Sequence, residues 1–158
     1  MNIYRLALAL PVLLCLPAQS QELPEAKGKD LYEKICGACH DTDVVFKTRT
    51  TKDKWKDTVD EMASRGAEGT DEQLDAIIDY LALCFGPRVN VNAASAKELE
   101  TQFAITSREG EAIVKYRQDK GDFKDVADLK NVPGVDFTKI ESVRYRITFA
   151  EGQGSGKR

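Results

Sequence analysis

Histidine is nearly missing from this 158-residue chain, which holds one, His40. With that imidazole taken up in another role below, no serine–histidine–acid set remains for hydrolysis, and no paired-carboxylate or phosphate-loop pattern stands out. A basic field is missing too. The 23 lysines and arginines face 26 aspartates and glutamates, net −3, which is not the footprint of an ordinary nucleic-acid binder. Long apolar runs are limited to Leu6–Leu16, short of the roughly 20 residues that cross a bilayer. Strand alternation is also lacking; the apolar residues recur with helical spacing almost throughout.

What is present begins with a leader. Arg5 precedes the apolar run, and small residues follow at Ala18 and Ser20, the three-part pattern of a secretory signal peptide. An uncleaved anchor is the competing reading. A lipoprotein site at Cys15 is disfavoured, because Leu14 stands where a small residue is wanted. Cleavage near Ser20 predicts an exported, periplasmic chain with no membrane span. Its residues 21–158 carry 22 basic and 26 acidic side chains. Three cysteines survive, Cys36, Cys39 and Cys84, and an odd count argues against a simple disulfide framework.

Residues 21–88 form a first unit with 10 basic and 15 acidic residues, so the acidic excess sits here. Its helices are expected near residues 28–35, 52–65 and from Thr70 onward. The second carries Trp55, Val59 and Met62 on one side and ends at Gly66. The third opens with a Thr70/Gln73 capping box, buries Leu74, Ile77, Ile78 and Leu81, and stops at Gly86-Pro87. Residues 89–150 form a second unit with 10 basic and 10 acidic residues. It has an extended entry at 89–92, capping boxes at Ser95/Glu98 and Thr106/Glu109, and caps at Asp125 and Asp136. Residues 151–158 are glycine-rich and polar, a tail expected to be disordered. Each unit is small enough to need reinforcement of its core.

Cys36-Gly37-Ala38-Cys39-His40 is the attachment sequence of haem c. Two thiols three positions apart near a helix end can both reach one edge of a porphyrin, and the adjacent imidazole then serves as proximal iron ligand. Zinc would need further Cys or His ligands, and only the distant Cys84 remains. A redox disulfide would be expected in a βαβ setting, which is missing. Since His40 is alone, a second axial histidine from the same chain is ruled out. Met62, the one methionine beyond the leader, is the candidate distal ligand. It reads equally as a core methionine on an amphipathic helix, and a lysine or an open position stays in play.

Residues 28–86 resemble small class I-like c-type cytochromes through Gly28, Tyr32, the Cys36–His40 motif and the closing helix from Thr70 to Leu81. The Trp55…Met62…Arg65-Gly66-Ala67 segment is similar to the cytochrome domains of quinohaemoprotein amine dehydrogenases. The resemblance implies His/Met ligation of one haem and one-electron exchange with redox partner proteins, a dehydrogenase or an oxidase. Residues 89–150 resemble the helix-hairpin-helix domain of the competence DNA receptor ComEA. The resemblance is carried by Val89-Asn90-Val91-Asn92-Ala93-Ala94-Ser95, Gly121-Asp122-Phe123 and Asn131-Val132-Pro133-Gly134-Val135. It implies contact with a DNA backbone through glycine turns at helix N-termini. Against that, Ala104 and Thr106 occupy the first hairpin's glycine positions and Asp136 the second position of the other hairpin. An Asp cap there satisfies the donors and repels phosphate. The charge of this unit is balanced, so its lysines and arginines read as a solvated face.

The expected architecture is all-α, a cytochrome c-like domain followed by a helix-hairpin-helix domain. The expected function is one-electron transfer without substrate chemistry. The competing reading is a DNA- or protein-binding module whose haem is a sensor or a structural element. Cys84 is expected to be a buried free thiol just past the last apolar turn of the third helix.

Overall fold

The computed structural model describes residues 22–149; the expected leader and tail lie outside them. The elements are α1 (Lys29–Cys36), a 3₁₀ turn (Thr42–Lys47), α2 (Lys52–Ser64) and α3 (Asp71–Phe85), then β1 (Val89–Asn90), α4 (Ala96–Phe103) and α5 (Ser107–Lys120). A second 3₁₀ turn (Ala127–Asn131), α6 (Phe137–Ser142), a third 3₁₀ turn (Arg144–Arg146) and β2 (Ile147–Thr148) complete the order. The protein is all-α as expected, apart from the two-residue strands. These pair in parallel, Val89 with Ile147 and Asn90 with Thr148. Two residues are too few to show alternation, and their partners lie at the far end of the unit, so the sequence pattern could not announce them.

Two separate clusters of buried side chains form. Tyr32, Ile35, Trp55, Ile77 and Tyr80 belong to the first; Leu99, Phe103, Ile113, Leu129 and Ile140 belong to the second. In the first, α1 crosses α3 at Gly28. That residue has φ +99°, and a Cβ there would lie 2.5 Å from the Ala76 carbonyl oxygen, so only glycine allows this approach. In the second, α4 meets α5 at Gly110, where a Cβ would lie 2.6 Å from the Ala96 carbonyl oxygen. Capping follows the expectations at Thr70 and Thr106, where both reciprocal bonds form. At Ser95 the hydroxyl accepts from the Glu98 amide, one half of the expected box. Asp125 accepts from the Asp128 amide and Asp136 from the Thr138 amide.

The end of α3 joins the two clusters. Helix termination leaves its last carbonyls without intrahelical donors. Arg49 Nη1 donates to the carbonyls of Cys84 (3.0 Å) and Gly86 (3.3 Å), and Trp55 Nε1 and the Thr50 amide donate to that of Phe85, each at 3.2 Å. The guanidinium also lies over the Phe85 ring, 5.8 Å from its centroid. From the second unit, Arg146 Nε donates to the Pro87 carbonyl at 3.1 Å, and the Tyr145 hydroxyl donates to the Glu25 carbonyl at 3.2 Å. Cys84 lies in the last turn of α3, just past the apolar stripe that ends at Leu81, and the helix stops before Gly86 as expected. It is completely buried and free, and burial pushes its thiol up to about 11.

Arg49→Ala should lower stability by about 2 kcal/mol, since half-buried carbonyls lose a charged donor. Urea unfolding of the full chain measures this, and a change under about 0.5 kcal/mol would show that the junction does not depend on Arg49.

Candidate functional site

α1 delivers the cysteine pair. The helix ends at Cys36, Gly37 donates back to the Glu33 carbonyl at 3.1 Å, and the Cys39 amide reaches the Cys36 carbonyl at 3.4 Å. This tight turn leaves Cys36 half-buried and Cys39 and His40 exposed. Burial, then the neighbouring Cys39, raises the Cys36 thiol above its ordinary range. His40 Nδ1 lies 2.9 Å from the Asp41 carbonyl oxygen. That pairing requires the proton on Nδ1 and leaves Nε2 as the lone-pair nitrogen for a metal. Just beyond, the Tyr32 hydroxyl donates to the Thr42 carbonyl at 2.8 Å and holds the 3₁₀ turn against α1.

Behind this turn lies an apolar cavity of about 250 Å³. Its walls come from Tyr32 and Ile35 of α1, Val45 of the turn, Trp55 and Val59 of α2, and Leu74 and Leu81 of α3. Cys36, His40 and Met62 also line it. An adjoining recess of about 220 Å³ is lined by Cys36, Cys39, His40, Met62 and Arg65. Cys36, His40 and Met62 therefore border both the cavity and the recess, and Cys39 the recess, with the thiols and imidazole supplied by one segment and the thioether by α2. Native cores are close-packed, and this one keeps room that its own side chains do not fill. An apolar cavity with an adjoining recess, together lined by two thiols, an imidazole and a thioether, fits haem c, whose ligands and tethers are these chemical groups.

The second unit presents two matching turns. Ala104 (φ +53°) and Gly134 (φ +81°) both adopt the left-handed conformation, ahead of Thr106 and Asp136, which cap α5 and α6. One carboxylate serves both turns. Glu109 Oε2 accepts from the Thr106 amide (2.7 Å) and hydroxyl (2.8 Å), and Oε1 accepts from the Asp136 amide (3.0 Å). Lys139 Nζ lies 3.3 Å from Oε2. The Glu109 side chain is 8% exposed.

Residues 24–81 match the family model described as cytochrome C oxidase, cbb3-type, subunit III, and residues 86–148 match that of the helix-hairpin-helix motif. The chain joins a cytochrome c-type domain to a ComEA-type helix-hairpin-helix domain. ComE operon protein 1 of Bacillus subtilis is 32% identical over 63 residues, which are 40% of this chain and 31% of that protein. Endonuclease/exonuclease/phosphatase family domain-containing protein 1 of Xenopus laevis is 39% identical over 70 residues, 44% of this chain and 13% of the relative. Its Homo sapiens counterpart is 43% identical over 60 residues, 38% of this chain and 10% of the relative. The chain thus spans about a tenth of those two relatives, and the similarity falls on the helix-hairpin-helix part. No solved structure matches.

In the cytochrome domain the cavity also takes Val44, Val45 and Thr48, which sequence spacing did not single out. They carry no motif and reach the cavity through the turn that Tyr32 pins. In the helix-hairpin-helix domain much of the basic charge is already paired. Lys97, Lys115 and Arg144 face Glu100, Asp119 and Glu141. Arg117 donates to the Val91 and Ala94 carbonyls, binding the domain's entry to α5. The Glu109 bridge between hairpins was not legible either, since a capping box predicts its bond to Thr106 but not to Asp136. No helix among the described residues is long and apolar enough to cross a membrane.

The donors from Thr106 and Asp136 hold the Glu109 carboxyl down to about 2, below the usual carboxylate range near ~4.3. The stabilisation by this group should be complete above that range and fade as pH falls through about 2. Glu109→Gln should flatten the acid limb of a stability–pH curve relative to the parent protein, and an unchanged limb would refute the assignment.

Proposed function

We propose that this protein is an exported, periplasmic electron carrier that binds a single haem c covalently. The observation that carries this reading is an apolar cavity lined by Cys36, His40 and Met62, with an adjoining recess that the same three residues and Cys39 line. Cys36 and Cys39 would tether the group by thioether bonds, and His40 would ligate the iron through Nε2, with Nδ1 kept on the Asp41 carbonyl. Met62 would supply a second iron ligand, a thioether that favours the reduced state. Haem c, when bound, supplies a one-electron ferric–ferrous couple. Trp55, Val59, Leu74 and Leu81 keep water from that couple, which limits the reorganisation accompanying charge transfer.

The proposed partners are redox proteins, a dehydrogenase or an oxidase. The helix-hairpin-helix domain is proposed to act in packing and protein docking: its Tyr145 and Arg146 rest on the cytochrome domain. No side chain of the cavity wall besides the candidate ligands offers an acid, a base or a nucleophile of the kind that substrate chemistry needs, apart from the hydroxyls of Tyr32, Thr48 and Thr58.

Two measurements test the reading. In denatured, haem-loaded mature protein, a thiol reagent should titrate one cysteine, Cys84; three reactive thiols would exclude thioether attachment. The oxidised protein should show a weak band at about 695 nm that Met62→Ala abolishes. High-spin haem in the unaltered protein, binding carbon monoxide readily, would remove Met62 from the iron and favour a sensor.

A further inference from the structure

In helix-hairpin-helix domains the turn amides are the groups that face a phosphodiester. Two of them are already engaged here, those of Thr106 and Asp136. The Thr106 amide and hydroxyl and the Asp136 amide converge on Glu109, at 2.7, 2.8 and 3.0 Å, and the Lys139 ammonium completes the set at 3.3 Å. The bond to Asp136 sets this apart from an ordinary capping box, which serves one helix: the donors come from both hairpins and meet on one carboxylate. Two further cap amides are engaged within the chain, that of Glu109 by the Thr106 hydroxyl at 3.2 Å and that of Thr138 by Asp136 at 3.0 Å.

We infer that Glu109 is a resident anion that fills the phosphate-contact face of this domain, closing it to nucleic-acid backbones. Geometry and charge both support this. A carboxylate offers about four acceptor sites, and the four convergent donors match them. An incoming phosphodiester would have to displace a buried carboxylate from three hydrogen bonds and a lysine, and would then meet the charge of Asp136 as well. The exposed lysines elsewhere on the domain do not restore the face, since the turn amides are what fix a backbone in register. The same donors would become a site for inorganic phosphate and phosphodiesters once the carboxylate is removed. This inference does not depend on the haem reading, because its readout lies in the other domain.

The test is amide NMR on the haem-loaded full chain, titrated at low salt with inorganic phosphate and separately with a short DNA duplex. In the parent protein the Thr106 and Asp136 amide signals should stay in place with either ligand. In Glu109→Ala they should shift saturably with phosphate, and duplex affinity should rise on the order of tenfold, as expected for freed donors and a lost negative charge. Saturable movement of the two signals in the parent protein overturns the inference without any variant. So does a folded Glu109→Ala chain whose amides ignore phosphate. Should the alanine variant not fold, Glu109→Gln keeps the side-chain volume and is read by the same signals.

Discussion

The C-terminal end of α3 carries carbonyl oxygens that no further helical turn can satisfy, and both domains are arranged around supplying their donors. Arg49, Thr50 and Trp55 reach them from the segment that also walls the apolar cavity. Arg146 reaches the next carbonyl from the helix-hairpin-helix domain. Backbone groups buried at such a place are expensive to leave unpaired, so the junction sets the position of the cavity wall and of the second domain together. A Gly86-Pro87 step that looked like a plain helix stop is thus the site at which the two domains are fastened.

On the cytochrome side, three short helices enclose more space than they fill. The Cys36–His40 turn is rigid where chemistry would need it, with Gly37 closing α1, Tyr32 pinning the following turn and Asp41 orienting the imidazole. The side chains lining the cavity are chiefly apolar, and the groups able to hold a metal or a vinyl-derived carbon are few among them, Cys36, His40 and Met62. That division of labour is what the proposed carrier requires: tethering and ligation from a few residues, and water exclusion from the remainder.

The helix-hairpin-helix domain keeps the backbone of its family and changes the occupants of its turns. Ala104 takes the left-handed conformation usually given to glycine, a strained choice for a residue with a Cβ. Two consecutive helical hairpins that would each leave free amides are instead cross-linked by Glu109. Two of the turn amides, those of Thr106 and Asp136, are thereby satisfied within the domain.

The sequence by itself determined the all-α class, the helix starts at Thr70, Thr106 and Asp136, and the cysteine–histidine motif, because caps and attachment motifs act over three or four residues and are written locally. It also marked Met62, through helical spacing with Trp55 and Val59. Only the tertiary structure decided what those residues border and which distant groups they meet. The parallel pair of β1 and β2, the placement of Arg49 on the end of α3, and the reach of Glu109 from Thr106 to Asp136 all join residues far apart in the chain. Such contacts arise from how packed helices bring their ends together, and no local pattern of residue types encodes the partner at the other end.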